Sequence, residues 1–157
     1  MAQLPDGMKI TWLGHSTFLI ETASGKRLMI EAFTDNNPKC PEEFKGGVGQ
    51  LDAILLTHGH TDHTADCVAL AKAGGDPEVV AIVEVAGWFG EQGVKNVVDM
   101  NKGGTYEVAG VKVHMTDARH SSSMPDGSYG GEPASYVLEF EDGFRLYHSG
   151  DTCVFGD

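Results

Sequence analysis

The chain is short of positive charge: 11 Lys and Arg stand against 23 Asp and Glu, a formal charge of -12. A phosphate backbone is recognised through a basic footprint, so this balance argues against a nucleic acid partner. Cysteine is scarce as well. Cys40, Cys67 and Cys153 are odd in number, widely spaced and without a C-x-x-C pair, which excludes a disulfide framework and a zinc knuckle and suits a reducing compartment. No apolar run approaches the ~20 residues of a membrane-spanning helix. The N-terminus also lacks the basic-then-apolar layout of a signal peptide. A soluble, cytoplasmic protein without a membrane partner is the expectation. Pro- or Ser-rich linkers and internal repeats are missing too, and 41% hydrophobic residues is too many for disorder. A length of 157 residues allows one core and not two ordinary domains.

What is present reads as mixed α and β structure. Met8 to Leu13 and Thr17 to Thr22 are rich in β-branched and aromatic residues around Gly14-His15-Ser16, the pattern of a hairpin, and Arg27 to Ile30 adds a short strand. Residues 34–50, with Asn-Asn-Pro, Cys-Pro and Gly-Gly, read as a long loop, a length that in a compact domain often signals function. Ala53 to Leu56 is an apolar run of strand length. Thr64 to Ala73 has helical spacing, stopped by Gly74-Gly75. Val79 to Val83 reads as a buried strand and Glu84 to Gln92 as a short helix. Beyond them the pattern is pure β: Thr105 to Val108 with Val111 to Met115, then Ala134 to Phe140 with Phe144 to Tyr147 across an Asp-Gly turn.

Chemistry concentrates in Thr57 to His63, seven residues holding three histidines and one aspartate at the carboxyl end of a strand, where open α/β sheets place ligand sites. In extended chain His58 and His60 point the same way, and Asp62 and His63 fall where a helix begins and can turn back toward them. Three imidazoles and a carboxylate suit zinc, manganese or iron. The remaining groups each carry two readings. His120 opens a Ser-rich loop as a further ligand or a surface histidine, and Asp151 follows His148-Ser149-Gly150 as a ligand or a turn former. His148 reads as a half-buried strand histidine, His114 as structural, and His15 as a substrate contact or a surface residue.

Taken together, the motifs resemble the metallo-β-lactamase superfamily, and within it the uncharacterised metal-dependent hydrolases similar to ascorbate-6-phosphate lactonase. The stretches that carry the resemblance are Lys9 to Ser16, Thr57 to His63, Gly103-Gly104-Thr105, His120 to Ser123, Gly131 to Ala134 and His148 to Thr152. The resemblance implies a four-layer αββα sandwich with a two-metal site at its open edge. It implies His58, His60 and His120 around one divalent ion, Asp62 and His63 on a second, and Asp151 bridging both. Zinc is the first choice of metal, with manganese, iron or nickel as alternatives. The implied reaction is hydrolysis of a small ester, lactone or phosphoester by a hydroxide shared between the ions, with Asp62 as the catalytic carboxylate. His15, Glu31 and His148 would contact substrate or support the ligands. A phosphodiesterase or nuclease of the same superfamily, and a non-catalytic metal-binding half-domain completed by a partner chain, are the alternatives.

Two departures stand out. Where the family carries Asp-Pro after the third strand, this chain has Glu31-Ala32, which reads either as a support for the ligands or as a solvated strand end. Family members continue past Gly-Asp-Thr and draw a late histidine from that continuation. Residues 1–157 are therefore expected to be the N-terminal two-thirds of one domain. Its second sheet would have an open edge, and a second chain or self-association would complete the fold.

Overall fold

The computed structural model describes residues 3–156. The chain begins with three strands, β1 (Lys9–Gly14), β2 (Thr17–Glu21) and β3 (Arg27–Ile30), joined by tight turns and therefore antiparallel. Three more, β4 (Ala53–Leu55), β5 (Glu78–Ile82) and β6 (Val97–Met100), extend the sheet in parallel, in the order β1-β2-β3-β4-β5-β6. Parallel strands covered on both faces need continuous apolar runs. Ala53, Ile54 and Leu55 are accordingly all buried, as are Val79 to Ile82.

Crossovers between these parallel strands carry the helices α1 (Thr61–Thr64), α2 (Cys67–Ala73) and α3 (Val83–Glu91). Cys67, Leu70 and Ala71 of α2 and Val85, Ala86 and Phe89 of α3 enter the common core. The single helix expected over 64–73 is broken into two short ones, and Asp66 is the reason. Its backbone N–H donates to Ala32 O at 2.9 Å, while its Oδ2 accepts from Thr34 N at 2.6 Å and Asp35 N at 2.9 Å. Tying down the loop after β3 takes Asp66 out of helical conformation, to φ -102°, ψ 5°. The long loop is present and holds one 3-10 turn, Glu42–Phe44. Strand β6 is not foreseen by the pattern, because Val-Val-Asp-Met is short and, as an edge strand, only partly covered.

The β-rich half forms a second sheet from β7 (Thr105–Val108), β8 (Val111–Asp117), β9 (Ala134–Glu139) and β10 (Arg145–His148), antiparallel throughout in the order β10-β9-β8-β7. It faces the first sheet directly. Tyr136 of β9 is fully buried, and its hydroxyl donates to Leu56 O, just beyond β4, at 2.8 Å. The described residues supply three layers of the αββα sandwich, since every helix among them precedes β6 in the chain. The outward row of the second sheet, including Lys112, His114, Val137, Arg145 and Tyr147, is exposed or half exposed. No helix among the described residues is long and apolar enough to cross a membrane.

Candidate metal centre

The site lies where several strands end together. The β1–β2 turn brings His15, the end of β3 brings Glu31, and the exit from β4 brings Thr57 to His60. Helix α1 carries Asp62 and His63, the segment after β8 carries His120, and the exit from β10 carries His148 to Asp151. Two backbone contacts fix this convergence. Ala134 N donates to Thr57 O at 2.9 Å, and Gly150, at φ +56°, sits so close that a Cβ there would lie 2.8 Å from the Thr57 side chain. Gly59 is pressed in the same way by the loop after His120, where an added Cβ would meet Met124 Sδ at 2.5 Å.

His58 and His63 are fully buried, and their rings stand 4.1 Å apart between centroids. His58 Nε2 faces His60 Nδ1 at 3.0 Å, and the His120 ring lies 5.3 and 5.1 Å from those of His58 and His60. In a tetrahedral zinc site with Zn–N bonds of about 2.0–2.1 Å, ligand nitrogens stand roughly 3.3 Å apart. The spacing and donor type of His58, His60 and His120 thus fit a metal ion. Two further sets, His15 with His63 and Asp151, and Glu31 with His58 and His63, also bring their ligand atoms within 4.8 Å of one another. Asp151 stands between the histidine groups, its Oδ1 3.5 Å from His63 Nε2 and its Oδ2 3.7 Å from His120 Nε2.

Asp62 belongs to none of these three sets. Its carboxylate is 55% exposed and its Oδ2 lies 3.2 Å from His15 Nε2, which is also 3.1 Å from His63 Nε2. His148 is turned away: Nε2 donates to Ser16 O at 3.0 Å and Nδ1 accepts from Gly150 N at 3.2 Å, so it braces the backbone next to Asp151. His114 bonds Thr105 Oγ1 within the second sheet, as a structural histidine would.

Glu31 is not a solvated strand end. It is fully buried, at φ +60°, a left-handed conformation that costs a non-glycine residue about 1–3 kcal/mol and persists only where its surroundings demand it. Its Oε1 accepts from the Thr57 hydroxyl at 2.5 Å and its Oε2 from Thr57 N at 3.2 Å. Oε1 also lies 3.1 Å from His63 Nδ1, off the direction of the ring N–H, which is otherwise without a partner. Thr57 Oγ1 in turn contacts His58 Nδ1 at 3.0 Å. Thr57 is the contact that sequence reasoning missed; its only sequence signal is its place directly before His58. Ser121 Oγ stands 3.3 Å from His60 Nε2, and Ser122 Oγ accepts from Gly59 N at 3.1 Å, so these serines support the loop.

Burial, with the neighbouring His63 and His60, pushes the His58 imidazole down to about 3, and burial with His120 lowers His60. Both therefore offer neutral nitrogen lone pairs at neutral pH, as metal ligation requires. His63 goes the other way. Burial lowers it, but the adjacent Glu31 carboxylate, helped by Asp151 and Asp62, outweighs that and raises it.

Comparison with known proteins gives a consistent picture. Residues 24–157 match the beta-lactamase superfamily domain. A UPF0173 metal-dependent hydrolase of Rubrobacter xylanophilus is 51% identical over 155 residues, covering 96% of this chain and 63% of the relative. Its counterpart in Herpetosiphon aurantiacus is 48% identical, covering 94% of this chain and again 63% of the relative. The chain thus spans a little under two-thirds of either protein. Among solved structures, the metallo hydrolase Igni18 of Ignicoccus hospitalis superposes with a TM-score of 0.71 at 26% identity, over 94% of this chain and 62% of that one.

Proposed function

The chain belongs to the beta-lactamase superfamily, and from that premise we propose that it forms the metal-binding part of a hydrolase acting on a small ester, lactone or phosphoester. The observation that carries this reading is Asp151, one carboxylate with an oxygen toward each of two histidine groups. The names of the relatives, metal-dependent hydrolases, support it. On this reading His58, His60 and His120 hold one divalent ion, Asp62 and His63 a second, and Asp151 both. Zinc suits the mixed imidazole and carboxylate set, and manganese, iron or nickel are the alternatives. Two bound cations supply a water of lowered pKa and an electrophilic pull on the substrate's carbonyl or phosphoryl oxygen.

The chain's own residues do the rest. Asp62, open to solvent and facing His15, takes a proton at Oδ2 and returns it to the leaving group. His15 orients Asp62 and the substrate, and His148 holds the Gly150-Asp151 backbone in place. Three free cysteines suit a reducing, cytoplasmic setting. The nuclease alternative has little support, because the chain is strongly acidic and two cations near the site are already engaged: Lys102 with Asp117 and Glu132, and Arg119 with Asp117 and the Phe155 ring.

Association with a second polypeptide or a second copy is part of the proposal. Trp12 supports it: this residue of edge strand β1 is 57% exposed, beside a cross-strand Phe18 that packs on His148 of the other sheet's edge. The test is reconstitution with Zn2+ or Mn2+, elemental analysis and native mass spectrometry, followed by a panel of lactones, esters, phosphoesters and a nucleic acid. Bound metal with hydrolysis of a small substrate supports the proposal; cleavage of the nucleic acid alone overturns it. Full metal occupancy with no hydrolysis by the completed assembly favours the non-catalytic half-domain.

A further inference from the structure

The polar loop after His120 folds back on itself as a small hairpin. Gly130 N donates to Ser122 O at 3.1 Å and Met124 N to Ser128 O at 2.9 Å, with Ser123 and Tyr129 paired antiparallel between them. Side chains alternate along such a ribbon. Ser122 and Met124 are buried on one face, where Ser122 Oγ accepts from Gly59 N at 3.1 Å and Met124 packs against Gly59. Ser121 and Ser123 are exposed on the other, and Ser121 Oγ there stands 3.3 Å from His60 Nε2. Residues directly opposite in an antiparallel pair share a face, so Tyr129 joins Ser121 and Ser123 on the side open to the histidines.

The tip of the hairpin is anchored. Trp88 of α3 donates from Nε1 to Asp126 Oδ2 at 2.8 Å, while Ser128 Oγ and N donate to Asp126 Oδ1 at 2.6 and 2.9 Å. Ser128 and Trp88 hold the Asp126 carboxyl down to about 2, so it stays a charged acceptor at any ordinary pH. Tyr129 is 69% exposed, yet the backbone on either side of it is fixed. A lone exposed aromatic is ordinary. One carried on a pinned ribbon beside a candidate metal centre has little freedom left to lose when a planar group meets it. The chemistry of the ribbon is also one-sided: residues 121–131 contain no Lys, Arg or His, so an anionic group would find no cation there.

We propose that Tyr129 is a specificity-determining residue, whose ring packs on an aromatic or other planar apolar group beside the scissile bond and so selects neutral aryl-substituted lactones or esters over phosphoesters. The inference rests on the hydrolase reading and narrows its substrate class. Trp88 and Asp126 are positioning residues that act through Tyr129.

The experiment compares γ-phenyl- and γ-methyl-γ-butyrolactone, which share one scissile bond, on the zinc-loaded chain. Wild type should favour the phenyl lactone in kcat/KM. Tyr129→Ala should cut that preference about 2–10-fold, the worth of one aromatic pair, mainly through KM, and Tyr129→Phe should retain it. Trp88→Phe, which keeps a ring on α3 but offers Asp126 no N–H, should reduce the preference in the same direction. A wild type without the preference overturns the proposal, as does Tyr129→Ala slowing both lactones alike or neither. A second readout needs no turnover: 13C NMR of tyrosine-labelled, zinc-loaded protein, with the Tyr129 ring signal identified by its loss in Tyr129→Phe. The phenyl lactone should shift that signal and the methyl lactone much less. No shift overturns the proposal whether or not hydrolysis occurs; a shift with neither lactone hydrolysed counts against the hydrolase reading while the contact stands.

Discussion

The carboxylate of Asp151 lies between His63 and His120, 3.5 Å from Nε2 of the first and 3.7 Å from Nε2 of the second. One side chain thus addresses both histidine groups. Replacing one oxygen by an amide in Asp151→Asn should weaken metal binding by more than the ~10–100-fold typical of supporting residues. Elemental analysis after gel filtration reads the result; metal content equal to wild type would remove Asp151 from the site.

His58→Ala and His60→Ala should each strip most of the bound metal, because their facing nitrogens form the tightest pair in the cluster at 3.0 Å. His114→Ala is the control. That ring bonds Thr105 on the second sheet, and its loss should leave metal content unchanged.

Tyr136→Phe tests the join between the sheets. The hydroxyl donates to Leu56 O inside the core, and its removal leaves a buried carbonyl with less hydrogen bonding at a cost of about 1–3 kcal/mol. For a chain of this size each kcal/mol corresponds to a fall in Tm of about 2–4 °C, measurable by calorimetry. An unchanged Tm would mean that the two sheets do not depend on this contact.

Thiol labelling tests burial. Burial pushes the Cys67 thiol far above its ordinary range and raises Cys40 as well, whereas Cys153 is exposed. A raised thiol pKa means less thiolate at a given pH, so iodoacetamide at mildly alkaline pH should modify Cys153 alone in folded protein. Intact mass should show a single adduct until denaturant is added; rapid labelling of Cys67 would contradict its buried place on the core face of α2.

Much of this molecule is written in local chemistry. The strands at Lys9–Gly14, Ala53–Leu55 and Ala134–Glu139 follow from runs of β-branched, aromatic and apolar residues, and the turns between them from Gly and Asp-Gly pairs. His58, His60 and His63 are legible because three imidazoles within six residues are rare and their spacing aims them at one volume. Asp66 and β6 were not legible in the same way. Asp66 breaks a good helical pattern only because the loop after β3 needs its carboxylate, and Val97–Met100 becomes a strand only because β5 offers it an edge.

The sequence by itself determined the family, the order of elements apart from β6 and the break at Asp66, and the histidine core of the site, since each depends on residues close along the chain. Tertiary structure alone decided which groups Glu31, Thr57 and His148 contact. Their partners lie 26 residues away for Thr57 and Glu31, and 132 for His148 and Ser16. Such pairings depend on how two sheets are brought face to face, and no local pattern encodes that. The burial that makes Glu31 an acceptor for Thr57 beneath the histidines exists only once the sheets have closed over it.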